Sequence, residues 1–248
     1  MKRYITAFFM AWGMFCAVPC PRRDWDDGLR PLMTVFLPVI GLIIGGIWAL
    51  VAWALTFVHW GLFGAVVLTA CPWLLSGLIH LDGFMDCCDA IFSRRDLEQR
   101  QKILKDSTVG AFAVISFALL ALGSVAAFSQ IYLERHFLCL LFLPVASRCV
   151  CALAVQNLPP MGSSQYAGEF SVGKKKSYTV ALIVELVLAV TEAFALCGFP
   201  GASALLTAAV TGLMIQYASR QLGGMSGDIS GFALTAGEFC GVLSLLLN

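Results

Sequence analysis

Charge is what this chain has least of. Of its 248 residues only 12% are charged, 15 acids against 16 bases, whereas 59% are hydrophobic and the mean hydropathy is +0.85. An ordinary soluble domain is about 25% charged and about 45–50% apolar. The deficit excludes a disordered chain, a nucleic-acid binder with a basic face and a water-soluble globule. Other signals are absent too. There is no repeat, linker or low-complexity tract and no C-x2-C pair. Most of the ten cysteines fall in apolar runs, as Cys71, Cys139, Cys149, Cys151 and Cys197 do, where they act as small hydrophobes. The polar–apolar alternation that marks a membrane barrel is missing. What remains is an all-α, polytopic integral membrane helical bundle, a single domain over residues 1–248.

No charged residue lies between Arg30 and Asp82, between Asp106 and Glu134, or between Glu192 and Arg220. A spanning helix needs about 20 apolar residues, so the runs predict spans near 33–58, 61–79, 109–132, 136–156, 178–198 and 202–222. Residues 4–18 are short and residues 230–247 contain Glu238, so each is a further span, a re-entrant piece or an interfacial helix. The expected count is six to eight. Met1-Lys2-Arg3 ahead of an apolar run resembles a signal peptide, but Pro19, Cys20 and Pro21 stand in place of a small-residue cleavage site, so retention is expected.

With eight crossings, twelve Lys and Arg residues fall on one side, including Arg22, Arg94, Arg100, Lys102, Lys105, Lys174, Lys175 and Lys176. Lys2, Arg3 and Arg135 fall on the other. The positive-inside rule makes the first side cytoplasmic. Most acids share it, from Asp24 through Asp82, Asp86, Asp89 and Asp106 to Glu169 and Asp228. The expected location is the cell (inner) membrane, with the polar chemistry facing the cytoplasm.

Asp82, Asp86 and Asp89 carry the strongest signal. At i, i+4 and i+7 they lie within about 60° of one another on a helix. Three carboxylates on one face at the end of an apolar span repel one another, and acids at membrane depth are functional by default. A divalent cation makes the arrangement favourable, and all-oxygen ligands suit Mg2+ or Mn2+ rather than zinc. The alternative is three solvated aspartates salt-bridged to Arg94 and Arg95. His80 falls on the opposite helical face, as a ligand or as a structural hydrogen-bonder.

Residues 93–110 read as an amphipathic helix running into the next span, with i,i+4 pairs Glu98–Lys102 and Lys102–Asp106. Gly223-Gly224-Met225-Ser226-Gly227-Asp228 is a glycine-rich loop whose backbone can approach a ligand or let helices pack closely. The Lys174, Lys175 and Lys176 run reads as an orientation signal. Glu185 and Glu192, at i,i+7, are either a buried pair or the lining of a cavity.

Together these segments resemble the cobalamin synthase (adenosylcobinamide-GDP ribazoletransferase) family of integral membrane proteins. Its His-Leu-Asp-Gly-x-x-Asp-x-x-Asp signature is matched by His80, Leu81, Asp82, Gly83, Asp86 and Asp89. Its Ile-x-x-Asp-Ser-x-x-Gly segment is matched by Ile103, Asp106, Ser107 and Gly110. Its last loop is matched by Gly223, Gly224, Gly227, Asp228 and Gly231, with Ser226 for Thr. Departures are Ser76-Gly77-Leu78 for Thr-Gly-Gly, Ala90 for Gly, and Thr108 where a basic residue is common. Downstream of the last loop, an acidic pair is reduced to Thr235 and Glu238.

The resemblance implies transfer of the adenosylcobinamide phosphate group from adenosylcobinamide-GDP to α-ribazole or its 5′-phosphate, with release of GMP and with Mg2+ as cofactor. It makes Asp82, Asp86 and Asp89 the metal core, with Asp106 and Asp228 as further contributors. Asp89 or Asp228 is the general base. Lys102, Lys105 and Arg148 are phosphate contacts, and Gly227 and His80 substrate-binding candidates. The implied partners are the two substrates and the lipid bilayer, with a second copy of the chain left open and no nucleic acid. The nearest rivals are a CDP-alcohol phosphatidyltransferase or prenyltransferase, whose further Asp motifs are missing. A cation transporter would place several acids near the midplane.

Overall fold

The computed structural model describes residues 2–58, 61–162 and 175–247; Glu169 and Lys174 lie outside them. In chain order the α-helices are α1 (Lys2–Phe15), α2 (Arg30–Val35), α3 (Leu37–Leu55), α4 (Gly61–Leu75), α5 (Ile79–Phe92) and α6 (Leu97–Ile103). There follow α7 (Ala111–Phe128), α8 (Leu133–His136), α9 (Cys139–Asn157), α10 (Lys176–Cys197), α11 (Ala202–Leu222) and α12 (Gly227–Ser244). Among the described residues no strand forms; one isolated bridge joins Pro160 to Met225.

Six helices, α3, α7, α9, α10, α11 and α12, are long and apolar enough to cross a membrane. The bent pair α4–α5 makes a seventh if it counts as one span. The chain is a multi-pass membrane protein. Helix α1 has 14 residues, about 21 Å at 1.5 Å per residue, short of a hydrocarbon core about 30 Å thick. Among the described residues the count is six, or seven with the bent pair, within the expected six to eight. Residues 230–247 fall within the last apolar helix, Gly227–Leu247.

Helix α9 sits at the centre and is almost wholly buried, while α10 is the most exposed of the spans. Close approach is set by small residues, as is usual where lipid removes the hydrophobic drive for helix pairing. A Cβ at Gly41 or Gly45 of α3 would collide with the carbonyls of Pro144 and Leu141 on α9. On α12, Gly237 and Gly241 pack in the same way on Thr211 and Thr207 of α11.

The span expected at 61–79 stops early. Helix α4 ends at Leu75, and α5 leaves it at 93°. Pro72 has no N–H for the carbonyl of Leu68, four residues back; the Trp48 indole of α3 donates to that carbonyl instead, at 2.9 Å. The corner itself is left-handed at both Gly77 (φ +65°) and Leu78 (φ +63°). Glycine adopts this region freely, but a leucine there costs about 1–2 kcal/mol. Leu78→Gly should accordingly raise the thermal unfolding temperature of the detergent-solubilised protein; an unchanged or lower temperature would show the corner to be unstrained.

The amphipathic helix expected over 93–110 is also shorter. Asp96 caps α6 by accepting from the Gln99 amide at 2.9 Å, and the helix lasts only seven residues. It docks on the C-terminus of α11, whose last carbonyls have no partner within their own helix. Gln101 donates to the carbonyl of Leu222 at 2.8 Å, and Arg100 donates to the backbone and side-chain oxygens of Gln221. A cation and an amide placed there also suit the negative end of the helix dipole.

Candidate functional site

The site is built where α5 crosses α12. Their backbones touch: a Cβ on Gly83 would lie 2.8 Å from the Asp228 Cα, and one on Gly231 would lie 2.7 Å from the carbonyl of His80. Only hydrogen at these two positions lets Asp82 and Asp86 on α5 come beside Asp228 on α12. Thr235 adds a tie across the crossing, its hydroxyl donating to the His80 carbonyl at 3.3 Å.

The N-terminus of α12 is held from two directions. Ser226 caps it by accepting from the Ile229 amide at 3.3 Å. Met225 and the chain at 159–161 exchange backbone bonds of 2.9 Å each, Met225 N–H to Pro159 and Met161 N–H to Met225. Gly223 (φ +82°) and Gly224 (φ +143°) make the turn into this segment. The glycines of the last loop thus serve the turn and the crossing.

Asp86 is half-buried and lies within the fields of Asp82, Asp228 and Asp89. Asp82 also acts on Asp228. Among the described residues none of Asp82, Asp86 and Asp228 forms an ion pair with Lys or Arg. The salt bridges to Arg94 and Arg95 required by the alternative reading are not formed among the described residues. Asp228 receives only the Ser226 hydroxyl, at 3.4 Å. Like charges gathered without a counterion are costly in a low-dielectric setting and mark a place where something cationic or neutralising binds.

The third aspartate of the run is used differently. Asp89 is buried and accepts from the amides of Gly110 at 2.6 Å and Ala113 at 2.9 Å, so a side chain of α5 caps α7. A Cβ on Gly110 would lie 2.5 Å from that carboxylate. A carboxylate at a helix N-terminus satisfies orphan amides and complements the dipole. The aspartate run therefore divides into Asp82 and Asp86, which join Asp228, and Asp89, which orients the next span. Asp106 is not brought into the cluster. It is exposed and accepts from the backbone amide of Thr108 at 3.0 Å and its hydroxyl at 2.8 Å, bonds that hold its carboxyl below the usual range.

Beside the acids lies a cavity of about 210 Å³. Asp82, Gly227 and Asp228 line it, as do His80 and Arg148, so five of the residues singled out by sequence meet there. The His80 ring lies parallel to that of Phe15 on α1, with centroids 6.0 Å apart. Arg148 is buried and bonds Glu238 of α12 at 2.8 Å, and Ser147 donates to the same carboxylate oxygen at 2.8 Å. The expected phosphate-binding arginine is thus already neutralised in the bundle. Lys102 and Lys105 are exposed and do not line the cavity. Lys102 bonds Glu98 at 2.7 Å, as expected, but the expected Lys102–Asp106 pair is not formed among the described residues, Asp106 being held by Thr108.

Glu185 and Glu192 do not line one cavity together. Glu185 is half-buried with a buried carboxylate oxygen, whereas Glu192 is exposed. Sequence reasoning missed Phe15, Arg100 and Ser147, and it missed the pairing of Arg148 with Glu238. Glu238 was visible only as one acid in an apolar helix, and its partner is 90 residues away.

Fold and site together describe a helical membrane protein with an acidic cluster, free of Lys or Arg ion pairs among the described residues, beside a cavity in the bundle. The family model of cobalamin-5-phosphate synthase matches residues 7–246, and the chain belongs to that family. The adenosylcobinamide-GDP ribazoletransferase of Clostridium botulinum (strain Alaska E43 / Type E3) is 36% identical over 253 residues, covering 100% of this chain and 99% of the relative. That of Clostridium perfringens (strain 13 / Type A) is 36% identical over 249 residues, 99% of each. That of Syntrophobacter fumaroxidans is 37% identical over 201 residues, 79% of each. No solved structure matches the chain.

Proposed function

We infer that the chain is a transferase that joins the adenosylcobinamide phosphate group of adenosylcobinamide-GDP to α-ribazole or its 5′-phosphate, giving adenosylcobalamin or its phosphate and GMP. Family membership supplies the reaction. The observation that ties it to this site is the meeting of Asp82, Asp86 and Asp228, from two crossing helices, without a cationic partner among the described residues.

A ribose hydroxyl of the nucleoside attacks the phosphorus on the cobinamide side of the pyrophosphate. The new oxygen–phosphorus bond forms as the bond to the bridging oxygen breaks, and GMP leaves with that oxygen. The hydroxyl proton passes to a carboxylate. Asp228 suits this step better than Asp89, because Asp228 lines the cavity while the oxygens of Asp89 are held by two amides.

Bound Mg2+ would neutralise the pyrophosphate oxygens and hold them in line. Asp82 and Asp86 are the residues that would hold it. The fit is to an open site: the donors are all carboxylates, and among the described residues no three His, Cys, Asp or Glu groups converge into a closed ligand set. Mg2+ commonly takes one or two carboxylates, with waters and substrate phosphates completing its shell.

The membrane in question is the cell (inner) membrane, with the site facing the cytoplasm. With α1 not crossing, Lys2 and Arg3 join the twelve bases of the majority side, leaving Arg135 opposite.

Purified protein in detergent, given adenosylcobinamide-GDP, α-ribazole and Mg2+, should form GMP and adenosylcobalamin in equal amounts, and chelation should stop the reaction until Mg2+ is restored. Absence of product, or full activity in Asp82→Ala, would overturn the assignment.

A further inference from the structure

The cavity beside the acids has a composition that distinguishes between parts of the two substrates. Its wall is mostly apolar, with Phe15, Leu37, Val155 and Leu234 contributing, and Asp82 and Asp228 stand in the same lining. Two polar groups in the wall are underused. Among the described residues the buried Nε2 of His80 has no hydrogen-bond partner, and the residue is only 9% exposed. Arg148 is 2% exposed; its Nε has no partner, and its charge is neutralised by Glu238. Buried polar atoms are nearly always hydrogen-bonded, so those left over need an explanation.

Each candidate occupant makes a different demand. The corrin ring is far larger than a cavity of about 210 Å³. A phosphate would enter a wall with no net positive charge and pass two carboxylates. Guanine brings a full edge of donors and acceptors, each costing about 1–3 kcal/mol if left unpaired, against two underused groups. The base of α-ribazole, a dimethylbenzimidazole, is flat and apolar and offers one ring-nitrogen acceptor.

Building on the transferase reading, we propose that this cavity seats the base of the acceptor nucleoside. The base lies against Phe15, Val155 and Leu234, and its free ring nitrogen accepts a hydrogen bond from His80. The ribose then sits at Asp82 and Asp228, where its hydroxyl meets the phosphorus. His80 is thus a substrate-binding residue rather than a metal ligand.

The test separates the two substrates. In the full-length protein in detergent, Val155→Phe should raise KM for α-ribazole about tenfold or more, the scale of added bulk in an apolar pocket, while KM for adenosylcobinamide-GDP changes less than about threefold. Equal effects on both, or on neither, would overturn the proposal. If Val155→Phe does not fold, as judged by gel filtration, Cys151→Leu adds bulk to the same wall and is read by the same criterion.

A second readout needs no turnover. Binding of α-ribazole, followed by its own fluorescence, should exceed that of the indole riboside, which lacks the acceptor nitrogen, and His80→Phe should remove the difference. Persistence of the difference would overturn the His80 contact. If the wild type binds α-ribazole selectively but releases no GMP, the transferase reading fails while the pocket stands; GMP release with unselective KM changes gives the reverse.

Discussion

Asp228→Asn should lower the rate of GMP release by about a hundredfold to ten-thousandfold, the usual contribution of a general base, with the protein still folded and binding both substrates. Asparagine keeps the size and the acceptor toward the Ser226 hydroxyl, so the loop geometry at α12 survives. What it removes is the ability to take a proton. The measurement is single-turnover GMP release, checked against thermal unfolding. Asp82→Asn should fall comparably. Asp89→Asn tests the other side of the division. Its damage should appear chiefly as lost stability, because one of the two amide bonds from Gly110 and Ala113 would face an NH2 group. A folded Asp228→Asn protein with wild-type turnover would remove Asp228 from the chemistry.

Glu238→Ala is expected to be the most damaging substitution for stability. It leaves Arg148 buried in the bundle without its counter-charge, and breaking such a pair costs about 3–5 kcal/mol. The effect should exceed that of Glu238→Gln, which retains acceptors for Arg148 and Ser147. Replacing both partners, as Arg148→Met with Glu238→Leu, should recover most of the loss, because two apolar side chains carry no desolvation penalty. Thermal inactivation in detergent ranks the three. A Glu238→Ala protein as heat-resistant as the wild type would show that water or lipid headgroups reach the arginine.

The pair also bears on the reaction through position. Glu238 and Asp228 belong to one helix, and Arg148 belongs to the central α9. The ion pair therefore fixes the rotation of α12 about its axis, which decides whether Asp228 faces α5.

The long apolar runs were sufficient to announce a helical membrane protein, because a bilayer leaves few other ways to satisfy the backbone. The expected span 202–222 and the observed α11 coincide, and others shift by a few residues. The acidic run at Asp82, Asp86 and Asp89 was legible because helical periodicity is local. Its division was not: whether a carboxylate stays free or caps a neighbouring helix depends on where Gly110 is brought, 21 residues on. The corner at Leu78 escaped notice because a leucine in an apolar run gives no turn signal, and the left-handed backbone there is seen only in the folded chain.

From spacing and composition Asp228 read as an acid in a glycine-rich loop, and only the family resemblance made it a site residue. The contact of Gly83 and Gly231, a matter of two missing side chains at one helix crossing, brings it to Asp82 and Asp86. Scarcity of charge and its clustering identified the class of molecule and the strongest carboxylate signal from sequence periodicity alone. Which carboxylates share a site, which arginine is already neutralised, and what the neighbouring cavity admits were decided by contacts between helices far apart in the chain, where sequence spacing carries no information.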